Sequence, residues 1–369
     1  MNNKNFQTFF DCGFSKIRAG IFNENNQNEA FYAESKSSID RSSLKKEVQK
    51  IITTFENDTN EYIDNVNLMI DSPKMLSIGI SISKKLDVSK LREINVQFLI
   101  QEAKQQILKH YSGYNIAHII INNYKIDNHD YSYFPNQINC HFISLDIIFI
   151  CLPDDLVQYF KNIFLESNIL INKIICSSYA KSINYKNNLN LTNYVSFIDV
   201  GFNKTSIFLY FNDKILSLIT IPIGGNHITK DISKILKIDL EKAENIKINY
   251  KKNMKSLNEN DLSAETVQKI ISARIQEILE LSYNSIKSNN FTKSQFRIIL
   301  MGEGLKAFDK KRTDLSHVVD GIDLLQDSCK NICQAGFKSA NGLNKQEVVV
   351  IPKKQIKQGF FEKLFHFFG

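Results

Sequence analysis

The sequence predicts an α/β protein with two related domains that face each other across a cleft. One motif, F-x-D-x-G-F-x-K, occurs twice, at Phe9–Lys16 and at Phe197–Lys204. Each copy continues into an apolar run typical of a β-strand. The two copies are too far apart for the short period of a solenoid, whereas the spacing suits two domains. A length of 369 residues and a hydrophobic content of 43% are enough for two compact cores.

Composition excludes several other classes of protein. The net charge is +7, but no dense basic run with interleaved aromatics is present, so nucleic acid is not an expected partner. The six cysteines form no C-x-x-C pair and the seven histidines are scattered, which predicts reduced thiols and no zinc site. The N-terminus enters a predicted strand almost at once, so neither a signal peptide nor a membrane-spanning run is expected.

The first half of the chain alternates predicted strands and helices. A module of one helix and several strands at 78–152 interrupts this pattern and is predicted to be an insertion. The Asn-rich stretch 182–192 is predicted to be a linker. The predicted elements are a hairpin at 6–34, helices at 43–52, 88–111 and 154–167, and strands at 66–70, 75–83, 117–126, 138–151 and 169–176.

The second half opens with the second hairpin and follows a similar pattern. A strand at 219–223 leads through a double glycine to a helix, for which Thr229 is the expected N-cap. A helix containing Ala243–Lys247 and a long amphipathic helix at 264–289 come next. A strand at 296–301 ends in Gly302-Glu303-Gly304, and a further helix is expected beyond it.

The two repeated motifs have the features of phosphate-binding turns. Backbone N–H groups in a tight turn bind phosphate well, and glycine allows close approach. One hairpin with an aspartate is equally compatible with a structural role and with phosphate binding. The prediction of a phosphate site therefore depends on the presence of two matched hairpins. Asp11 and Asp199 are the candidates to hold Mg²⁺ through water. The candidate phosphate-binding residues are Asp11, Gly13, Phe14, Ser15, Lys16, Asp199, Gly201, Phe202, Asn203, Lys204 and Thr205.

Three further elements are candidates for contacts to a nucleoside. Gly224-Gly225 precede a helix N-terminus, which favours anions, although a plain strand–helix turn would have the same sequence. Glu244 and Lys247 are three residues apart and therefore share one helix face. They are either contacts to a ribose or a solvated ion pair. Gly302, Glu303 and Gly304 follow a buried strand, where such a loop could pass beneath a base.

Taken in order, these five elements resemble the actin-like ATPase fold over essentially the whole chain. That resemblance implies two related domains around ATP and Mg²⁺. The module at 78–152 resembles subdomain 1C, an SHS2-like insertion, of the bacterial cell-division family FtsA. The pilus family PilM shares this insertion. Other members of the superfamily, namely MreB, its chaperone and its sugar kinases, have a different insertion at that place.

The end of the chain favours FtsA over PilM. A basic, polar stretch precedes Gly359–Gly369, where Phe360, Phe361, Leu364, Phe365 and Phe368 follow helical spacing and form one face. Glu362, Lys363 and His366 lie on the other face. Such a helix can lie in the headgroup plane of a membrane, and the alternative is a last core helix. The candidate membrane residues are Phe360, Phe361, Lys363, Leu364, Phe365, Phe367 and Phe368.

The resemblance implies a division of the chain into subdomains. The expected boundaries are 1–77 and 153–192 for subdomain 1A, 78–152 for 1C, 193–227 and 297–342 for 2A, 228–296 for 2B, 343–358 for a linker and 359–369 for the membrane-targeting helix.

The sequence departs from the FtsA pattern at the nucleotide loops. Where the family has glycines in the second loop, this chain has Phe202 and Asn203, and Ser206 replaces the final acid. Phe14 stands at the position of a threonine in the first loop, and Glu303 replaces the central glycine of the adenosine loop. Weak ATPase activity at most is expected, and no catalytic residue is identified.

The function implied by the resemblance is a cell-division adaptor. It would tether FtsZ filaments to the cytoplasmic face of the membrane at the division site, self-assemble through 1C and its neighbours with bound ATP, and meet other division proteins. The FtsZ C-terminal peptide would bind subdomain 2B, where Arg274, Glu277 and Lys287 are the candidates. The alternatives are a PilM-like pilus-assembly protein and a kinase or phosphatase of the actin superfamily.

Overall fold

The protein contains three β-sheets and eight α-helices in the residues that the computed structural model describes. Two five-stranded sheets belong to the two predicted domains, and a four-stranded sheet belongs to the inserted module. The described residues are 6–26, 29–36, 41–85, 96–135, 140–253, 262–287, 297–308, 322–342 and 344–348.

The first sheet is built around the first repeated motif. Its strands are β1 (Phe6–Cys12), β2 (Lys16–Asn23), β3 (Ala30–Lys36), β4 (Asn65–Ile70) and β9 (Leu170–Cys176), in the order β3-β2-β1-β4-β9. Strand β1 pairs antiparallel with β2 and parallel with β4. Phe9 and Phe10 are both fully buried, because successive side chains of a strand point to opposite, covered faces of this sheet.

Helices cover both faces of the first sheet. On the Phe10 side lie α1 (Arg41–Thr59) and α3 (Asp154–Leu165), where Phe164 makes an edge contact with Phe10 at 5.2 Å between ring centroids. On the Phe9 side lie α4 (Ser177–Asn188) and α8 (Cys329–Ala340). Each face therefore has its own apolar layer.

The second sheet repeats the topology of the first. Its strands are β10 (Tyr194–Val200), β11 (Thr205–Phe211), β12 (Lys214–Ile221), β13 (Arg297–Met301) and β14 (Ile322–Leu324), in the order β12-β11-β10-β13-β14. The pairings are antiparallel within the hairpins and parallel from β10 through β13 to β14. The matching strand order confirms the two related domains that the repeated motif predicted.

Helices of the second domain cover one face of this sheet, and the other face meets the first domain. The covering helices are α5 (Gly225–Leu236), α6 (Leu240–Asn253) and α7 (Leu262–Lys287). On the opposite face Phe208 packs near Tyr179 of α4, at 6.4 Å between ring centroids. Helix α4 is thus shared between the two sheets.

The inserted module has a sheet of its own. It comprises β5 (Leu76–Lys85), α2 (Gln97–His110), β6 (Tyr114–Ile126), β7 (His129–Tyr131) and β8 (Phe142–Pro153). The antiparallel order is β5-β8-β6-β7, and α2 packs its apolar face on this sheet. Its described strands and helix lie between Leu76 and Pro153, and the bounds 78–152 and the SHS2 type stay predictions.

Three sequence expectations differ from the structure. The stretch 182–192 is not a linker through most of its length, because α4 extends to Asn188 and buries Ser182 to Lys186. Thr229 is not an N-cap, because α5 already begins at Gly225. Helix α8 lies within the range expected for subdomain 2A, yet it packs on the first sheet, since its Ile332 and Phe337 join the Phe9 layer.

Residues 344–348, the described part of the expected linker, pack against the inserted module and the first domain. Glu347 forms an antiparallel bridge with Ile120 of β6. His118 Nε2 accepts a hydrogen bond from the N–H of Cys176 at 2.8 Å, so the ring proton lies on Nδ1, which donates to Glu347 Oε1 at 2.8 Å. Asn344 donates to Tyr179 Oη at 2.8 Å. Residues 344–348 therefore close the junction between the module and the first domain.

Replacement of Gly336 by alanine should destabilise the protein, because α8 touches the first sheet at this residue. An added Cβ would lie 2.3 Å from Met69 Sδ and 3.2 Å from the Phe9 ring. Overpacking of this kind costs about 1–3 kcal/mol, which exceeds the helix-propensity gain of up to about 1 kcal/mol. Urea unfolding measures the change. Gly79→Ala is the matched control, since nothing lies within 4 Å of its added Cβ. Equal destabilisation of both variants would contradict close packing of Gly336 on the first sheet.

Glu347→Gln should reveal a pH-dependent contribution to stability. Burial alone would raise the pKa of Glu347, but His118 and Lys173 together hold it below the ordinary 4.5. A carboxylate with a lowered folded-state pKa stabilises above its unfolded pKa and loses that contribution as the pH falls. We expect a loss of about 1–3 kcal/mol near neutral pH, which shrinks below pH 4.5. Urea unfolding of the wild-type protein and the Glu347→Gln variant, from neutral pH to below pH 4.5, measures the loss. A difference in unfolding free energy that stayed constant with pH would refute the prediction.

Candidate functional site

The two repeated motifs form turns of the same geometry. In the first, the N–H of Gly13 donates to the carbonyl of Lys16 at 2.9 Å, and in the second that of Gly201 donates to Lys204 at 2.8 Å. Asp11 and Asp199 are both buried near the end of the strand before each turn. Both turns line one cleft between the domains.

The cleft is small. Its cavity measures about 90 Å³, whereas pockets for drug-sized ligands usually measure about 300–1,000 Å³. Phe14 stands at the first turn with 43% of its surface exposed. The predicted residues that line the cavity are Asp11, Gly13, Phe14, Ser15, Asp199, Gly201, Phe202, Asn203, Lys204 and Glu303.

Asp11 is bonded through both carboxylate oxygens. Oδ2 lies 3.2 Å from the Arg18 guanidinium, which stands directly opposite on β2, and Oδ1 accepts from the Ser177 hydroxyl at 2.6 Å. Burial raises the pKa of Asp11, and Arg18 and Ser177 oppose that rise. Arg18 also reaches Glu303 of the second domain at 3.1 Å. The first aspartate is thus paired to a cation of its own domain.

Asp199 is paired to Lys181 of α4. Lys181 Nζ lies 2.8 Å from Asp199 Oδ2 and 2.9 Å from Asp327 Oδ2, so it sits between carboxylates from both domains. Burial lowers the pKa of Lys181, but Asp199 and Asp327 together raise it well above its ordinary value. Lys181 is therefore charged at neutral pH, with only 9% of its side chain exposed.

The two motif lysines take different positions. Lys204 Nζ reaches across the cleft to Asp71 at 3.4 Å, and Asp71 also accepts hydrogen bonds from Ser178. Lys16 instead pairs with Glu34 of β3. Burial would raise the pKa of Glu34, but Lys16 and Arg18 together lower it. Only the second motif lysine reaches the cleft.

The double glycine packs directly on the second turn. The N–H groups of Gly225 and Asn226, at the start of α5, donate to the carbonyls of Gly201 and Phe202 at 2.9 and 2.7 Å. A Cβ at Gly224 would lie 2.6 Å from the Gly201 carbonyl oxygen. These glycines are needed for close backbone approach, and the two N–H groups are already bonded within the protein.

Glu244 and Lys247 share one face of α6, as their spacing predicted. Their charged groups lie 2.7 Å apart, and Lys247 also donates to the carbonyl of Gly225 at 3.0 Å and to Thr229. Burial lowers the pKa of Lys247, although Glu244 opposes the change. The Lys247 ammonium lies 5.7 Å from the centre of the Phe202 ring. The pair therefore helps to hold the second turn and α5 together.

The loop after β13 completes the site. Gly302 has φ of 106°, a conformation that favours glycine, and a Cβ there would lie 2.5 Å from Asp199 Oδ1. Gly304 contacts Gly225, whose added Cβ would lie 3.0 Å from the Gly304 Cα. Glu303, between them, points to Arg18 and Lys306. Thr205, by contrast, is bonded to the carbonyl of Ile223 at 2.7 Å.

The residues present do not fit Mg²⁺ held through water by Asp11 and Asp199. Magnesium needs octahedral oxygen ligands and retains several waters. Asp11 and Asp199 Oδ2 are instead bonded to Ser177 and to the cations Arg18 and Lys181. Asp199 Oδ1 is buried without a hydrogen-bond partner, but it lies against Gly302. Among the described residues, no three His, Cys, Asp or Glu side chains are placed to hold a metal.

The candidate FtsZ-binding residues are only partly described. Arg274 of α7 lies 2.7 Å from Asp231 of α5 and 2.6 Å from Glu277, with 24% of its side chain exposed. Lys287 ends α7, and its side chain lies outside the described residues, as do residues 349–369 with the expected membrane helix. No described helix is long and apolar enough to cross a membrane.

Sequence reasoning missed much of the polar framework of the cleft. The missed residues are Arg18, Asp71, Ser177, Ser178, Lys181 and Asp327. Two carried a usable signal: Arg18 interrupts the apolar strand Ile17–Phe22, and Asp71 follows a strand parallel to β1. Parallel strands bring their carboxyl ends to one sheet edge, where sites form. Lys181 had no such signal, since its Asn-rich surroundings resembled a linker.

The chain is similar to the cell-division protein FtsA in the comparisons of its sequence. Residues 196–349 match the family model "Cell division protein FtsA". FtsA of Neisseria meningitidis serogroup B is 35% identical over 143 residues, which is 33% of this chain and 34% of the relative. FtsA of Borreliella burgdorferi is 26% identical over 238 residues, 58% of this chain and 57% of the relative. The matches thus span between a third and somewhat over half of these relatives.

Among solved structures, the chain resembles PilM from the PilM-PilN type IV pilus biogenesis complex. The TM-score is 0.63 at 13% identity, and the superposition covers 94% of this chain and 99% of that one. At this identity the likeness concerns the fold alone, and it includes the inserted module. Together with the repeated topology, these findings show that the chain has an actin-like fold and is similar to FtsA over part of its length.

Proposed function

We propose that this chain is a cell-division adaptor that tethers FtsZ filaments to the cytoplasmic face of the membrane at the division site. The observation that carries the proposal is the match of residues 196–349 to the FtsA family model. That range contains the second turn, the three helices of the second domain, the loop after β13 and α8. Contacts with other division proteins and self-association through 1C belong to the same proposal.

The cleft supports an adaptor better than a catalytic member of the actin superfamily. A kinase or phosphatase would need a carboxylate free to act as a base. Each carboxylate that lines the described cleft instead has a cationic partner within 3.4 Å, namely Asp11, Asp71, Asp199, Glu303 and Asp327. The expected ATP remains a prediction from the resemblance, and the adaptor role requires no turnover.

The FtsZ peptide is proposed to bind subdomain 2B. There Arg274 links two helices, since it pairs with Asp231 of α5 and Glu277 of α7. Arginine residues held in this way are often energetic centres of interfaces, because a preorganised guanidinium loses little entropy on binding. Arg274 is also partly exposed, so an incoming carboxylate can compete for it.

A PilM-like role is the second candidate, because the PilM structure matches the whole fold. A pilus-assembly peptide would be expected near 1C. Part of one edge there is already occupied by this chain itself: the carbonyl of Gln346 accepts from the N–H of Ile121, and Val348 donates to Ile119. This contact favours the FtsA-like role.

The membrane function is tested by one substitution on each face of the proposed tail helix. Phe365→Asp should abolish co-sedimentation of the full chain with vesicles of anionic phospholipid, because it places a charge on the apolar face. His366→Asp introduces the same residue at the neighbouring position on the polar face, so it should retain most binding. Equal loss in both variants would point to net charge alone and would count against a helix lying in the membrane.

Peptide binding is tested with the full chain and a fluorescent FtsZ C-terminal peptide. Arg274→Ala should weaken binding about ten-fold, the scale of an arginine at an interface centre. Arg297→Ala is the matched control, an arginine paired with Asp323 outside subdomain 2B, and it should leave binding unchanged. Capture of purified PilN with no detectable FtsZ binding would replace this proposal with the PilM-like one.

A further inference from the structure

Three ion pairs cross the cleft between the two domains. Arg18 of β2 reaches Glu303 at 3.1 Å, Lys181 of α4 reaches Asp199 at 2.8 Å, and Lys204 reaches Asp71 at 3.4 Å. We call these three pairs the interdomain network. Each cation is less than 10% exposed, so water screens these pairs weakly.

Each cation of the interdomain network is also held on its own side of the cleft. Arg18 is bonded to Asp11, and Lys181 to Asp327, both within the first domain. Lys204 is bonded to Ser206 of its own hairpin. A cation fixed on one side and paired on the other acts as a bridge, because separation of the domains would leave buried charges unpaired.

The two aspartates expected to hold the metal belong to this arrangement. Asp199 is part of the interdomain network, and Asp11 is bonded to the Arg18 guanidinium at 3.2 Å. Positive charge therefore already occupies the place where the resemblance put Mg²⁺. Hydrated magnesium would have to displace Arg18 from Asp11 and Lys181 from Asp199, and each displaced cation would then be buried beside the metal.

The nucleoside side of the site is closed as well. The start of α5, the second turn and the loop after β13 touch through backbone atoms at Gly201, Gly225 and Gly304. Lys247 fills the adjoining space between Gly225, Thr229 and the Phe202 ring. Entry of a nucleotide would require these contacts to separate.

We propose that the interdomain network takes the place of Mg²⁺ and nucleotide, so that this chain adopts its closed cleft without either. Arg18, Lys181 and Lys204 supply the positive charge that a bound metal would supply between the two turns. The closed form is then a property of the polypeptide alone. This inference concerns the cleft and stands apart from the membrane and FtsZ proposals, so their failure would leave it untouched.

The first test measures ligand dependence with the purified full chain. Its thermal unfolding midpoint, and the hydrogen exchange of the turns at 13–16 and 201–204, should be the same with EDTA, with Mg²⁺ alone and with millimolar ATP and Mg²⁺. A ligand that binds the folded state must raise the midpoint by mass action. A rise with ATP and Mg²⁺, a fall with EDTA, or stoichiometric nucleotide in the purified protein would overturn the proposal.

The second test breaks the interdomain network. Lys181→Met should raise amide exchange in the two turns by about ten-fold or more, because it leaves Asp199 and Asp327 buried without their cation. Lys269→Met removes an exposed lysine paired with Glu265 on α7 and serves as the control, with unchanged exchange. Where Lys181→Met does not fold, Glu303→Gln removes a single bridge and gives the same readout. Exchange in the turns no faster than in the control would refute the network.

Discussion

The ammonium group of Lys181 is the charge on which the arrangement of the two domains depends. It lies within 2.9 Å of both Asp199 in the second sheet and Asp327, which precedes α8. Helix α4, which carries it, is buried from Ser177 to Lys186 between the two sheets. A charge in such a place is costly unless its partners are fixed, so both domains must keep their positions relative to α4. The position of one lysine is thus coupled to the geometry of both domains.

Helix α8 reinforces this coupling from the other end of the chain. After the second sheet is complete, the chain returns to the first sheet and packs Ile332 and Phe337 beside Phe9 and Met69. The second domain is therefore enclosed in sequence between two parts of the first. The chain crosses between the domains after α4 and again before α8, so any hinge motion between the domains must bend the chain at these two crossings.

The sequence predicted the fold well because the relevant signals are local and repeated. Asp11-x-Gly13 and Asp199-x-Gly201 predicted two equivalent hairpins, and the strong apolar–polar alternation of Leu76–Ile82 indicated the inserted module.

The candidate site was predicted in outline only. Its expected loops do meet, but the partners that neutralise them come from distant positions such as Lys181 and Asp327, and pairing at such separation leaves no periodic signal. The linker expected at 182–192 was wrong for a related reason, since its buried Lys186 is paired with Asp213, a partner from another part of the chain.

The antiparallel contact between Glu347 and Ile120 places the end of the described chain beside the inserted module. The last described residues lie on the inserted module, beside its junction with the first domain. From there residues 349–358 can span at most about 35 Å, the length of a fully extended chain. For a tail seated in the membrane as proposed, the body is restricted to a shallow layer above the lipid. The attachment point on the inserted module would then lie within about 35 Å of the bilayer.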